Sequence, residues 1–243
     1  MGSEIAGRIL YCSGYCVVVN KIIGEAVEGA GKGMIDLQRL LADELAAQNY
    51  PPAAEDALPL PTAAHRLDVP VSGCAVFART APALRFLNAA FSGEAVRKHY
   101  WAIAEPSSHN ALFAEGAAES TLTHWLQFDS RRNKSVAHDQ PGPGRKKSIL
   151  RCRLAGRGQH YLFLEIELIT GRHHQIRAQL ARAGLHVKGD LKYGARRSDP
   201  NGGIRLHARS LAFPDPAGSG NSITVCADPP LRDNLWQAFT AVL

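Results

Sequence analysis

The sequence lacks any apolar run that approaches the roughly 20 residues needed to cross a bilayer. Its first residues contain no basic segment followed by an apolar stretch, which argues against a secretory signal. The five cysteines are odd in number and scattered, so they predict neither a disulfide framework nor a zinc ribbon. We therefore expect a cytoplasmic protein without a membrane partner, in which the thiols are reduced and mostly buried.

The composition supports a folded core and a basic surface. With 45% hydrophobic residues in 243, the chain can form one large domain or two joined lobes. Lysine and arginine outnumber aspartate and glutamate by 28 to 22, which gives a formal charge of +6. This excess favours a polyanionic partner, although many basic proteins bind no nucleic acid.

Strands dominate the elements that the hydrophobic pattern predicts. Alternation is clearest at residues 161–169, where Leu162, Leu164, Ile166 and Leu168 share one face. The predicted helices are interspersed among the strands without regular alternation, which favours a mixed α+β fold with a mainly antiparallel sheet. The pattern predicts a hairpin over residues 8–20 and helices over 36–47, 81–91, 173–184 and 229–243.

Two segments show no regular period. Residues 51–64 contain four prolines, and we interpret them as an ordered connector. Residues 129–147 contain six Lys or Arg residues and two Pro-Gly pairs, which predicts a long flexible loop.

The segment from His65 to Gly73, HRLDVPVSG, places the acid Asp68 beside the base Arg66 in a turn-forming context. A buried strand follows at once. The alternative interpretation is a surface loop in which these two residues form a solvated ion pair.

The segment 170–177, TGRHHQIR, lies at a predicted strand-to-helix junction. We expect Thr170 or Gly171 to cap the helix, so that its N-terminus, Arg172 and the two following histidines converge on an anion site. An ordinary capped helix with a polar first turn would have the same sequence.

Two further segments are informative only in combination with the first two. On the strand that begins at Lys98, Lys98 and Tyr100 share a face while His99 and Trp101 take the other, a pattern also typical of core aromatics. Considered alone, the second segment would be interpreted as a loop over residues 189–194 followed by a strand at 206–208.

Taken together and in this order, the segments resemble the RluA family of pseudouridine synthases over residues 8–226. The matching stretches are YCVVVNK, HRLDVPVSGCAVFART, RKHYWAIAE, ITGRHHQIRAQLARAGLHVKGDLKYGA and LHARSLAF. The resemblance implies a pseudouridine synthase catalytic core, with a long mixed, mainly antiparallel sheet, flanking helices and a central cleft. It implies one catalytic domain over residues 1–243 and leaves no room for a separate N-terminal RNA-binding domain.

By the same resemblance, the chain would isomerise uridines of ribosomal or transfer RNA without a metal or other cofactor. Asp68 would be the catalytic carboxylate, and Arg177 would pair with it and keep it ionised. Tyr100 would stack on the uracil and either remove the C5 proton or position a water.

The family's RNA contacts are carried over in the same way. Arg66 would fill the space that the flipped base leaves, and Lys98 and Arg172 would contact phosphates, as would Lys188 and the basic loop. His174 and Leu206 complete the expected substrate-binding set. RNA is the expected partner of a monomer that needs no protein partner.

Two other functions compete with this one. A non-catalytic RNA-binding protein could use the same scaffold. A metal-dependent hydrolase could use His173, His174, His186 and His207, although adjacent residues on a helix point about 100° apart, whereas metal ligands there usually lie four apart.

Overall fold

The computed structural model describes residues 5–31, 33–52, 56–93, 95–107, 112–113, 118–230 and 233–243. The chain forms two compact units. The first unit contains Met1–Arg97 and Ala208–Pro230, and the second contains Lys98–His207 and Leu231–Leu243. None of the helices in these described ranges is long and apolar enough to cross a membrane.

Strands outnumber helices, and the fold class is the predicted mixed α+β. The strands are β1 (Ile9–Cys12), β2 (Cys16–Lys21), β3 (Glu25–Ala26), β4 (Ile35–Asp36), β5 (Ala57–Ala63), β6 (Ser72–Thr80), β7 (Arg97–Pro106), β8 (Glu119–Asp129), β9 (Lys134–His138), β10 (Lys146–Arg157), β11 (Leu162–Leu168), β12 (Leu185–Val187), β13 (Leu206–Pro214) and β14 (Ser222–Cys226). The helices are α1 (Leu37–Ala47), α2 (Ala81–Ser92), α3 (Gln175–Arg182) and α4 (Asn234–Thr240).

In the first unit, the sheet order is β1-β2-β6-β13, with β5 paired to β6 and β14 paired to β13. The predicted hairpin is confirmed, because β1 and β2 pair in antiparallel fashion. All nine residues of β6 are buried, as expected for a central strand covered on both faces. The helix α2 packs there through Ala83, Leu87 and Ala90, whose spacing places them on one helical face.

Both predicted helices of this unit form, and each begins at a capping side chain. Asp36 accepts hydrogen bonds from the backbone at the start of α1. Thr80 does the same for α2, with Pro82 in the first turn. These contacts satisfy N–H groups that a helix cannot pair internally.

The expected connector over residues 51–64 is in part a strand, β5, so that interpretation needs correction. Among the described strands, β5 pairs with β6 alone. Pro59 and Pro61 have no N–H to donate, which an edge strand tolerates because one of its sides lacks a ladder. The prolines therefore concealed the strand in the sequence.

In the second unit, the sheet order is β7-β11-β10-β8-β9, with β12 paired to β7. The alternating face of β11 is buried as predicted. Trp101, Ile103 and Phe163 form a core cluster with Trp236 and Phe239 of the terminal helix α4. This helix begins only after its cap, Asp233, and is shorter than predicted.

The segment 129–147 is not one flexible loop, contrary to the prediction. Residues Lys134–His138 form β9, which pairs with β8 from Trp125 to Asp129, and β10 begins at Lys146. Only the turns over 130–133 and 139–145 lie outside strands. The sequence of β9 alone did not indicate a strand, because its backbone hydrogen bonds are made with the long strand β8.

Candidate active site

Asp68 lies in the first unit at the start of a tight turn. The N–H of Val71 donates a hydrogen bond of 2.9 Å to the Asp68 carbonyl, which closes the turn just before β6. Leu67 is buried, Asp68 is half-buried and Arg66 is exposed. The turn thus buries Leu67 and exposes Arg66, while the exposure of Asp68 is intermediate.

Lys21, the last residue of β2, donates hydrogen bonds to the backbone of this turn. The sequence did not predict this role. Its ammonium is fully buried. It donates to the carbonyls of Val69 at 3.1 Å and Val71 at 2.6 Å, and to its neighbour Ile22 at 3.1 Å. The N–H of Gly24 donates to the Val69 carbonyl as well. The backbone after Asp68 is therefore fixed by several donors.

A buried ion pair adjoins Lys21. Glu25 accepts two hydrogen bonds from the Arg8 guanidinium, at 2.8 and 2.9 Å, and another from the Ile22 N–H. Burial lowers the pKa of Lys21 to about 8, although the carboxylates of Glu25 and Asp68 act in the opposite direction. Lys21 is therefore close enough to Asp68 for their charges to interact.

Gly73 allows two strands of this unit to approach closely. Its φ is +119°, and a Cβ at this position would collide with the backbone of Ala208 in β13. Only glycine tolerates both conditions. The glycine that ends the HRLDVPVSG segment is thus required by packing.

His65 fixes the other end of the segment. Its Nε2 accepts a hydrogen bond of 3.2 Å from the Val76 N–H. Its ring stacks on Phe91 of α2 with the ring centres 4.5 Å apart. This histidine therefore has a structural role.

In the second unit, Lys98 and Tyr100 lie on the same face of β7, as the strand alternation predicted. Both are buried, with 6% and 7% exposure, while His99 between them is exposed. Burial lowers the pKa of Lys98, and the positive charge of Arg172 acts in the same direction. Lys98 and Arg172 therefore contribute charge to one region.

The junction before α3 is closed by Gln175, not capped by Thr170 or Gly171, so that prediction was wrong. The Gln175 Oε1 accepts hydrogen bonds from the Thr170 hydroxyl at 2.8 Å and the Arg172 N–H at 3.0 Å. Residue His174 precedes the helix with a left-handed φ of +52° and provides no side-chain cap. This conformation is uncommon for a residue other than glycine and marks a tightly determined turn.

Arg177 forms a buried, bidentate ion pair with Asp190. Its Nε lies 2.6 Å from Oδ2 and its Nη2 lies 2.9 Å from Oδ1, and the two side chains are 5% and 1% exposed. The guanidinium also lies over the ring of Tyr193, 4.9 Å from its centre. Sequence reasoning gave Asp190 no role, and the predicted pairing of Arg177 with Asp68 remains a prediction.

Tyr193 connects α3 to the β8–β9 hairpin. Its hydroxyl accepts a hydrogen bond from the Ser135 N–H and donates one to the Ser135 carbonyl. The Nδ1 of His174 lies 3.0 Å from the same hydroxyl, and the rings of His173 and His174 stack with centres 3.7 Å apart. The two histidines therefore form an aromatic stack above the start of the helix.

The remaining predicted site residues have varied surroundings. Leu206 is buried at the start of β13. Lys188, which we expected to contact phosphate, lies 3.8 Å from the carboxylate of Asp199. Asp199 also forms a buried pair with Arg205. Lys188 is therefore partly neutralised by a neighbour that the sequence did not suggest.

The other histidines considered as zinc ligands make local contacts. The Nδ1 of His186 lies 2.7 Å from the Tyr193 carbonyl oxygen. His207 is buried beside the ring of Trp236. Within the part of the chain that the structure describes, no three His, Cys, Asp or Glu residues cluster as metal ligands.

Known sequences match this chain over most of its length. Residues 15–182 match the model of a family described as RNA pseudouridylate synthase. A ribosomal large subunit pseudouridine synthase D of Xanthomonas campestris is 30% identical over 255 residues, which cover 98% of this chain and 70% of the relative. The corresponding synthase C of Vibrio cholerae is 29% identical, with coverage of 98% and 70%. An RNA pseudouridine synthase of Zymomonas mobilis is 28% identical, with coverage of 85% and 87%.

Solved structures also resemble this fold. A human protein named RNA Pseudouridylate Synthase Domain Containing 4 aligns with a TM-score of 0.73 and 18% identity, covering 98% of this chain and 94% of its own. A second human protein, named RNA Pseudouridylate Synthase Domain Containing 1, aligns with a TM-score of 0.68 and 23% identity. The alignment covers 97% of this chain and 94% of the human protein. At these identities the structures support the fold alone.

Proposed function

The chain belongs to the RNA pseudouridylate synthase family, and we propose that it isomerises uridines in structured RNA with Asp68 as the catalytic carboxylate. The observation that carries this proposal is the fixed turn at Asp68. A half-buried acid, whose following backbone is held by Lys21 and Gly24, is positioned before any substrate binds.

The reaction exchanges one bond for another. The glycosidic bond between N1 and the ribose breaks, the uracil rotates, and its C5 bonds to the same sugar carbon. The C5 proton leaves and N1 takes up a proton, so the product is an isomer of the substrate. Asp68 either attacks the sugar carbon or accepts a ribose proton, and both routes need an ionised carboxylate. Nothing is oxidised or reduced in this exchange.

Tyr100 and Arg177 have supporting roles in this proposal. Tyr100, buried on β7, would stack on the uracil and remove the C5 proton. Arg177 would pair with Asp68 and stabilise its charge. Asp190 accepts hydrogen bonds from Nε and Nη2 of Arg177. A guanidinium carries five N–H donors, so one arginine can serve two carboxylates.

The proposed RNA contacts involve one exposed arginine and a second group of residues near α3. Arg66 is exposed beside Asp68, which suits a side chain that fills the place of the flipped base. Arg172 and His174 lie in the segment before α3, and Lys98 of β7 places its Nζ close to Gly171. These three residues would contact the backbone of the RNA, and the buried Leu206 would contact the base. The names of the relatives favour large-subunit ribosomal RNA as the first substrate to test, with transfer RNA as the alternative.

Release of tritium from C5 of uridine tests the catalytic assignment. Wild-type protein should release tritium from labelled RNA, and Asp68→Asn should release none while keeping its fold and its RNA affinity, because an amide can neither attack nor accept the proton. Asp56→Asn, an exposed acid in the same unit, is the matched control and should behave as wild type. Turnover by pure Asp68→Asn would refute the assignment.

A second outcome separates the enzyme from an RNA-binding protein on the same scaffold. If wild-type protein binds the RNA but releases no tritium, the binding function is favoured. In either case the affinity should fall as salt rises, because lysines and arginines displace counterions from phosphates. A flat salt response would argue against RNA as the partner.

The proposal also covers the setting in which the protein works. It would act in the cytoplasm as a monomer with one catalytic domain and without an obligate protein partner. Light scattering of the purified protein, alone and with RNA, tests the oligomeric state, and a dimer mass would contradict it.

A further inference from the structure

The two faces of the β8–β9 hairpin differ in what they contact. Leu126 and Phe128 are two residues apart on β8 and therefore share a face. Ser135 lies on the same face because it is the cross-strand partner of Phe128. On this face Leu126 packs against Ala178 of α3. Val136 lies on the opposite face of the same hairpin.

Phe128 extends the packed face beyond the start of the helix. Leu126 and Ser135 are buried, with 4% and 3% exposure, but Phe128 is 51% exposed. Its ring meets the ring of His173 at an angle of 66°, with the centres 4.5 Å apart. His173 in turn stacks on His174. Three aromatic rings therefore run in a row from the hairpin to the start of α3.

Hydrogen bonds fix the position of this row. The Ser135 hydroxyl donates to the His173 carbonyl at 2.6 Å and lies 3.2 Å from its Nδ1. The hairpin and the segment before Tyr193 are also joined by two lysines. Lys134 donates to the Lys192 carbonyl, and Lys192 donates to the Asn133 carbonyl. The exposed ring is therefore presented by an ordered support.

Exposed arginines adjoin both ends of the row of rings along the chain. At the hairpin tip, the Asp129 carboxylate accepts hydrogen bonds from the N–H groups of Arg131 and Arg132, and both arginine side chains are exposed. Arg172, also exposed, immediately precedes His173. Arg132 also forms an ion pair with Asp129, its Nε lying 3.8 Å from the carboxylate. An exposed aromatic ring with exposed arginines on nearby residues suits a nucleotide, whose base stacks while its phosphates pair with cations.

We propose that Phe128, backed by His173, is a stacking platform for an unpaired base of the RNA. The inference rests on the proposed function for its choice of RNA as the ligand. Stacking is tolerant of sequence because every base has a π-face, so the platform would select single-stranded loops over continuous duplex. It adds a contact with a base that is not isomerised.

Binding measurements on Phe128 variants test the platform. In the Asp68→Asn background, which prevents turnover, the dissociation constant is measured for a stem-loop RNA with unpaired uridines and for a blunt duplex of the same composition. Phe128→Ala should weaken stem-loop binding about 5-fold to 100-fold and leave duplex binding nearly unchanged. Phe128→Tyr should retain affinity, whereas Phe128→Leu, which is apolar but has no π-face, should not.

Val136→Ala is the matched control, because Val136 is 44% exposed on the other face of the hairpin. It should bind both RNAs as the parent does. The platform is refuted if Phe128→Ala binds like Val136→Ala, if Phe128→Leu keeps full affinity, or if both RNAs lose affinity equally. Equal thermal unfolding midpoints exclude a folding defect.

The two proposals fail separately. Absence of tritium release by wild-type protein would count against the catalytic function. The binding comparison of the Phe128 variants would still test the platform in that case. Normal tritium release together with unchanged affinity of Phe128→Ala would remove only the platform.

Discussion

The segments around Asp68 and Arg177 are held in place by different kinds of contact. In the first unit, carbonyls of the Asp68 turn accept hydrogen bonds from the Lys21 ammonium and the Gly24 N–H. In the second unit, Arg177 is fixed through side chains, by a bidentate pair with Asp190 and by the ring of Tyr193. Side-chain substitutions should therefore affect the second segment more than the first.

The largest loss of stability should come from Asp190→Ala. The substitution removes the carboxylate that pairs with the buried guanidinium of Arg177, and breaking such a pair costs about 3–5 kcal/mol of unfolding free energy. Urea unfolding measures this loss. The control is Asp139→Ala, which removes the exposed partner of Arg182 near the other end of α3 and should change stability little. Equal losses in the two variants would mean that burial does not distinguish the pairs.

Gly73→Ala should show how strongly the backbone packing of the first unit matters. Gly24 also has a positive φ, +90°, but a Cβ there meets nothing within 4 Å. Gly24→Ala should therefore cost only the backbone strain, about 1–2 kcal/mol. Gly73→Ala should cost about 1–3 kcal/mol more, because its Cβ also collides with Ala208. Unfolding free energies that agree for the two variants would contradict the close approach.

Lys21→Met should have a smaller effect on stability and a clear effect on turnover. The carbonyls of Val69 and Val71 lose a donor, but a buried charge also disappears, so we expect a net loss of about 1 kcal/mol. Turnover should fall about tenfold because the turn after Asp68 is no longer held. Tritium release at saturating RNA measures this. An unchanged rate would show that Lys21 does not position the acid.

The pH dependence of turnover should depend on the same lysine. The pKa of Lys21 is about 8 in the folded protein and 10.5 ordinarily, so the unfolded chain binds more protons between these values. The contribution of Lys21 to the unfolding free energy therefore rises with pH across this interval. Turnover should instead decline above about pH 8, because the ammonium that holds the turn is lost. Lys21→Met should lack this decline, and an identical alkaline limb would contradict the assignment.

Local patterns predicted the elements whose signals lie close together in sequence. The alternation in β11 and the helix α2 are confirmed, since each depends on neighbours within a few residues. The strand β9 was missed because the arginines and Pro-Gly pairs around it suggested a loop, while its partner β8 supplied the ladder. The strand β5 was concealed by its prolines.

The candidate site shows the same limit. Asp68, Tyr100 and Arg177 could be named because they lie within short motifs of the family. The roles of Lys21 and Asp190 could not, because Lys21 contacts carbonyls 48 and 50 residues away and Asp190 pairs 13 residues away. Gln175 was missed because an internal side chain closes the turn that a capping residue was expected to close.

The prolines of β5 have a consequence for behaviour at high concentration. An edge strand with a full row of N–H donors is a template on which another chain can add a strand. Pro59 and Pro61 remove two of those donors from a strand of seven residues. Replacing both with valine would add two N–H donors to this strand, and the variant should self-associate more readily than the native chain at high concentration.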